Sequence, residues 1–235
     1  PMNPQIVERE LAEYDAVDAI AVPTRYAAET FVSRGISRSR MVVNPYGISL
    51  SSAETLPERN SHRGRVRLLF VGQVGVRKGV ATLLEAFSRL DGGVELHLVG
   101  PVEPGFRRIL DAHATGNVIF HGPLSGGQLK AAYERADAFC LPSVEEGFGL
   151  VLLEAMVAGL PVVTSRVTGG SELIRADTEG IVVEPGRPEE LAEALAVLRA
   201  EPEKREKMGA AGRKRVEDSF TLDHYRDRAI EAYRE

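Results

Sequence analysis

The chain has 235 residues, 43% hydrophobic and 27% charged, with a net charge of −5. These are the proportions of an ordinary soluble globular protein, enough for one large domain or one and a half smaller ones. No apolar run approaches the roughly 20 residues that span a bilayer, the polar start PMNPQIVERE carries no secretory signal, and the lone Cys140 excludes an intramolecular disulfide.

In chain order, residues 1–50 read as a helix-like stretch (QIVERELAEYDAVD), a strand (AIAVPT), a helix (RYAAETFVSRG) and a second strand (RMVVNPYG). Residues 51–65 are polar and rich in Ser, Pro and Arg, the composition of a linker. From Val66 onward a unit repeats. The apolar strands RLLFVG, VELHLVG, NVIFHG, AFCLPS, PVVTS and GIVVEPG end in Gly, Pro or Ser. Helical patterns follow them near 79–90, 105–114, 125–136, 149–158, 169–175 and 188–200, and two more close the chain near 203–218 and 222–234. Strands apolar on both faces that alternate with amphipathic helices predict a parallel sheet covered on both sides, a doubly wound, Rossmann-like α/β domain over 66–221. Two strands and one helix cannot bury both faces of a sheet. Residues 1–50 are therefore expected to be mobile, or packed against the second unit or a second copy of the chain, and the helix in 222–235 to go with them.

Cys140 lies in the apolar run AFCLP and reads as a buried, inert thiol, compatible with a reducing cytoplasm. Arg213, Lys214 and Arg215 are followed by Glu217 and Asp218, which makes a solvated helix face rather than a nucleic-acid patch. His62, His97, His113, His121 and His224 have no metal-ligand spacing, and His97 falls inside a strand, where a structural role is expected.

A doubly wound sheet binds ligands beyond the carboxyl ends of its strands, so the residues just after each strand carry the functional signal. The first such loop runs Gly72, Gln73, Val74, Gly75, Val76, Arg77, Lys78, Gly79. Glycines admit a ligand close to the backbone, and Lys78 stands at a helix mouth where an anion such as a diphosphate is favoured. The same residues also suit a plain Gly-rich turn with a solvated lysine; they form neither a P-loop nor a GxGxxG fingerprint. The second loop, after AFCLPS, runs Glu145, Glu146, Gly147, Phe148, Gly149 into a helix at Leu150. Glu154 falls about one turn inside that helix among Leu152, Leu153 and Met156, where a carboxylate needs a partner. Ribose or hexose hydroxyls would serve, and so would a neighbouring backbone group. The amides of Gly147, Phe148, Gly149 and Leu150 open the helix toward phosphate or sugar oxygens.

The string SVEEGFGLVLLEAMVAGLPVVTS resembles the Glu-x7-Glu signature of the retaining GT-B glycosyltransferases of family 4, the "glycosyl transferases group 1" domain. VGQVGVRKGVATLLEAF, LHLVG, NVIFHGPLS, TGGSELI and GIVVEPGRPEELAEAL fall in that family's order and spacing, so the resemblance covers about 66–220. It is specific for the family and says little about the substrate. Residues 17–49 resemble the end of the family's N-terminal domain and its crossover, so residues 1–50 are expected to be the remnant of an acceptor-side domain and the chain to be cut short at its N-terminus.

The resemblance implies that Lys78 binds the donor diphosphate, that Glu146 contacts the transferred sugar, and that these two carry the catalysis. It implies that Glu154 holds the ribose, that backbone groups from Gly72 and from Gly147 to Leu150 touch phosphate and sugar, and that Leu124 and Leu129 flank the base. Gln73 stands where the family more often has arginine, which removes a positive charge; Arg77 is the candidate to supply it. No metal and no cofactor is expected beyond the nucleotide-diphosphate sugar itself, of UDP, GDP or ADP type. The implied activity is retaining hexosyl transfer to a saccharide or lipid-linked acceptor in the cytoplasm, at the membrane periphery if the acceptor is lipid-linked. A homodimer or a separate N-terminal domain would complete the site. A donor-binding module without turnover fits the same residues, and so does a sugar-nucleotide epimerase of the same architecture, although the latter would not be expected to keep EGFGLVLLEA.

Overall fold

The computed structural model describes residues 3–50, 65–90, 92–113 and 116–234. The stretch read as a linker, 51–65, lies outside the described residues except for Arg65. The first elements are α1 (Pro4–Ala16), β1 (Ile20–Val22), α2 (Arg25–Val32) and β2 (Met41–Val43). They are followed by β3 (Val66–Val71), α3 (Val80–Ser88), β4 (Val94–Val99), α4 (Arg107–Ala112), β5 (Val118–Gly122) and α5 (Gly126–Arg135). Next come β6 (Ala138–Leu141), α6 (Leu150–Val157), β7 (Val162–Ser165), α7 (Gly170–Leu173) and β8 (Gly180–Val183). Helices α8 (Pro188–Ala200), α9 (Pro202–Ser219) and α10 (Leu222–Ala232) end the chain.

The main sheet has six strands in the order β5-β4-β3-β6-β7-β8, every pair parallel. This is the doubly wound α/β arrangement, in which the chain grows outward from β3 to β5 and then returns to add β6 on the other side. Its strands are apolar on both faces because helices cover both. Leu68, Leu69, Phe70, Leu96, Leu98, Phe139 and Leu141 are all buried. Cys140 is among them, and burial pushes its thiol far above the usual range. Helix α6 buries five of its eight residues, consistent with its place between the sheet and α9. No helix among the described residues is long and apolar enough to cross a membrane.

The order reverses between β3 and β6, so their neighbouring loops diverge and leave a crevice at the carboxyl ends. The junction is tight. Gly79, the residue before α3, is left-handed at φ 70° and packs on the Pro142 carbonyl that follows β6.

Residues 20–43 form a separate βαβ unit. Strands β1 and β2 pair in parallel, Ile20 with Met41 and Val22 with Val43. Helix α10 rests on the stretch that leaves β2: Arg228 donates to Asn44 Oδ1 (3.1 Å) and to the Pro45 carbonyl (2.7 Å), and Asn44 Nδ2 donates to the Tyr225 carbonyl (3.3 Å). The Ile48 amide bonds the Phe220 carbonyl at 2.8 Å, and the Leu222 amide returns a bond to the Ile48 carbonyl at 3.2 Å. The unit is thus packed against the rest of the chain rather than standing apart.

Gly79 and Gly186 share a left-handed backbone, φ 70° and 69°, but a methyl at Gly186 would meet open space. Gly186→Ala should lose only the conformational cost of about 1–2 kcal/mol. Gly79→Ala should lose clearly more, because a methyl would overlap Pro142 and part β3 from β6. Urea unfolding checks this; equal losses would mean that the junction is slack.

Candidate active site at the switch point of the sheet

The loops that follow β3 and β6 meet. The Val144 amide donates to the Arg77 carbonyl (2.9 Å), and Lys78 forms an ion pair with Glu146 through Nζ and Oε2. The two side chains are only 15% and 13% exposed. Charges so far from water are tolerated because each is the other's partner. A methyl on Gly72 would come within reach of the Lys78 stem, and one on Gly149 within reach of the Glu146 side chain. The first loop is also braced from the β4 side: Val74 donates to the Pro101 carbonyl (2.8 Å), and Glu103 Oε2 accepts the Val76 amide (3.0 Å). Gln73 and Arg77 are exposed, and Arg77 reaches no closer than 3.4 Å to the Glu145 carbonyl.

At the mouth of α6 the backbone has donors to spare. Gly149 is left-handed (φ 81°) and caps α6 without a side-chain bond. Among the described residues no acceptor takes the amides of Gly147, Phe148, Gly149 or Leu150. The carbonyls of Glu146 and Gly147 are engaged, by the Gly169 amide (2.9 Å) and the Thr24 hydroxyl (2.9 Å). A cation, a carboxylate and four amides at the positive end of a helix can take up an anion next to a hydroxyl-rich group.

Glu154 sits one turn along α6, and its Oε2 accepts the Tyr133 hydroxyl at 2.6 Å. Burial first, and then the Glu154 charge and hydrogen bond, push the Tyr133 phenol far above its ordinary value, so it stays a donor. The carboxylate therefore has a protein partner that the sequence reading lacked; the only signal was an aromatic hydroxyl on a core-facing helix, which needs an acceptor. Phe148 is buried, its ring edge-on to Tyr46 at 5.1 Å. Thr24 of the βαβ unit and Tyr46, on the stretch that leaves it, were not foreseen as neighbours of the site.

Leu124 and Leu129 are half-buried against the core beside α5. Leu124 also lines a cleft of about 230 Å³ between α5 and the sheet, together with His97 and His121. There His97 Nδ1 lies 2.9 Å from His121 Nε2, and burial, then His121, lowers the His97 pKa. Among the described residues no three His, Cys, Asp or Glu side chains converge to hold a metal ion. Lys78, Glu146 and the 147–150 amides are thus brought together, with Glu154 one turn behind and the two leucines to the side.

Comparison with known proteins points the same way. The family model "Glycosyl transferases group 1" matches residues 52–215. The sulfoquinovosyl transferase SQD2 of Arabidopsis thaliana is 30% identical over 216 residues, covering 86% of this chain and 42% of its own length. The chain spans about half the length of the curated relatives it matches. Among solved structures, a sucrose-phosphate synthase from Thermosynechococcus elongatus superposes with a TM-score of 0.85 at 25% identity, covering 99% of this chain and 61% of that one. Anabaena HepE, in complex with UDP and glucose, shares the fold at a TM-score of 0.86 and 19% identity, over 97% of this chain and 66% of its own.

The ion pair yields a stability test. Lys78→Met strands the shielded Glu146 carboxylate and should cost about 1–3 kcal/mol. Adding Glu146→Gln should recover most of that loss in urea unfolding at pH 7. A double variant as unstable as the single one would show that the two charges do not compensate each other.

Proposed function

The chain belongs to the glycosyl transferases group 1 family, and from that premise we propose that it is the donor-binding half of a retaining, family 4-type transferase. It takes a hexosyl group from a nucleotide-diphosphate sugar and passes it to a saccharide or lipid-linked acceptor without a bound metal ion. The observation that carries this reading is the contact of Lys78 with Glu146 beside four amides that have no acceptor among the described residues. A diphosphate offers Lys78 a second anion, and the diphosphate and its sugar together give the amides acceptors, phosphate oxygens toward α6 and a sugar oxygen at Phe148. HepE, which shares this fold and was solved in complex with UDP and glucose, supports a nucleotide-sugar donor.

In this reading Lys78 and the start of α6 hold the diphosphate. As the bond between the anomeric carbon and the β-phosphate oxygen breaks, negative charge grows on the departing nucleoside diphosphate, and these fixed positive groups stabilise it. Glu146 faces the transferred sugar and accepts its hydroxyls; the acceptor hydroxyl forms the new bond to the anomeric carbon and passes its proton to the departing β-phosphate oxygen. Glu154 keeps Tyr133 on one oxygen and offers the other to the ribose. The backbone at Gly72 lets the phosphates approach, Gln73 supplies only a neutral contact, and exposed Arg77 is free to swing toward them. Leu124 and Leu129 flank the base.

A thermal-shift panel of UDP-, GDP- and ADP-glucose on the chain tests this. A ligand of the folded state at 100 times its Kd adds about 2.7 kcal/mol of stability. At least one member should raise the midpoint, with or without EDTA. Lys78→Ala should weaken the matching nucleoside diphosphate by about 1.5–3 kcal/mol, or 10- to 150-fold, and leave the nucleoside unchanged. Equal losses for both, or a strict need for a divalent cation, would count against the reading. Turnover of the bound sugar separates an enzyme from a donor-binding module.

A further inference from the structure

Thr24 is 2% exposed, yet it carries a hydroxyl whose two capacities are both used. Its oxygen accepts the Ala27 amide at 3.0 Å and so caps α2. Its proton goes to the Gly147 carbonyl at 2.9 Å, 123 residues away. The two other first-turn amides of α2, Arg25 and Tyr26, donate to the Glu172 carboxylate at 3.0 and 2.7 Å. Glu172 stands on α7, three residues after Gly169, whose amide holds the Glu146 carbonyl. A methyl on Gly169 would overlap both the Gly147 carbonyl and the Thr24 methyl. Three backbone pieces therefore meet where no side chain fits, one from the N-terminal βαβ unit, one from the loop after β6 and one from the loop after β7.

In a trans peptide the N–H points opposite to the C=O. Two consecutive peptide planes of the loop are fixed through their carbonyls, that of Glu146 by Gly169 and that of Gly147 by Thr24. The N–H groups of Gly147 and Phe148 consequently point away from those donors, and neither has an acceptor among the described residues. Capping α2 requires only the oxygen of Thr24. Sending the proton to Gly147 adds a constraint on the loop that the helix does not need.

We infer that Thr24 is a positioning residue: by holding the Gly147 carbonyl it aims the Phe148 amide at the transferred sugar. This rests on the donor-binding reading for the identity of what the amide meets. It assigns to the N-terminal unit a part in ordering the donor site.

The test uses Thr24→Ser, Thr24→Asp and Thr24→Val in the full chain. Serine keeps both bonds. Ionised aspartate caps a helix well but has no proton to donate, so it separates the cap from the Gly147 bond; valine loses both. Two quantities are read: the 15N order parameter of the Phe148 amide without ligand, and the affinity of UDP-glucose relative to UDP, with the GDP and ADP pairs run in parallel. Serine should match the parent chain in both. Aspartate and valine should lower the Phe148 order parameter from the rigid value of about 0.85 toward 0.6. They should also cut the sugar-conjugate preference about five- to tenfold, the worth of one hydrogen bond, with UDP affinity unchanged. An aspartate variant with the parent's Phe148 order and preference would overturn the inference, and so would a serine variant that behaves like aspartate. If the parent chain binds no nucleotide sugar, the proposed function falls, and the Phe148 order parameter still decides whether Thr24 holds the loop.

Discussion

Lys78 and Glu146 face each other from two loops that meet only because the strand order reverses between β3 and β6. Were β6 placed elsewhere in the sheet, each shielded charge would be left without its partner, at a cost of about 1–3 kcal/mol per ion. The fold therefore supplies the partner before any ligand arrives, and the surrounding backbone is built to the same end. Gly79 brings the β3 loop against Pro142, Val144 hydrogen-bonds Arg77, and Gly149 turns the chain into α6 beneath the Glu146 side chain. An ion pair of this kind adds little net stability, since desolvation offsets most of the attraction. Its value is that both members are held in place, and a diphosphate can compete for one of them.

The N-terminal unit depends on the same crevice. Two short strands and one helix have too little interior to be stable alone. The unit is anchored at one end through Thr24 and the first turn of α2, which bond Gly147 and Glu172. At the other end Asn44 and Pro45 take hydrogen bonds from Arg228 of α10. Tyr46, 41% exposed, lies between Phe148 of the donor loop and Tyr225 of α10. What steadies this unit also orders the loop that carries Glu146.

The doubly wound sheet was legible in the sequence because its strands are apolar on both faces and the helices between them are amphipathic, patterns that tertiary context does not overwrite. Helices α4 and α7 are shorter than their patterns suggested, 107–112 and 170–173. Lys78 and Glu146 were visible one at a time as charges in loops after strands, and Glu154 as a carboxylate one turn inside an apolar helix. Their partners were not. Lys78 and Glu146 are 68 residues apart and Tyr133 and Glu154 are 21 apart, separations that only strand order and helix packing close. Thr24 was invisible for the same reason: nothing in VPTRY separates a helix cap from a hydroxyl that reaches across the molecule. His97 and His121 lack ligand spacing along the chain, yet adjacent parallel strands bring their rings together.

If a nucleotide-diphosphate sugar lies across the loops after β3 and β6, a crystal structure of the chain with UDP-glucose should show it there. Diphosphate density is expected beside Lys78 and the start of α6, with the Lys78–Glu146 contact opened and the glucosyl ring against Glu146. Diphosphate or sugar density in the cleft beneath α5, or at the crevice with the ion pair still closed and the sugar turned away from Glu146, would contradict that placement.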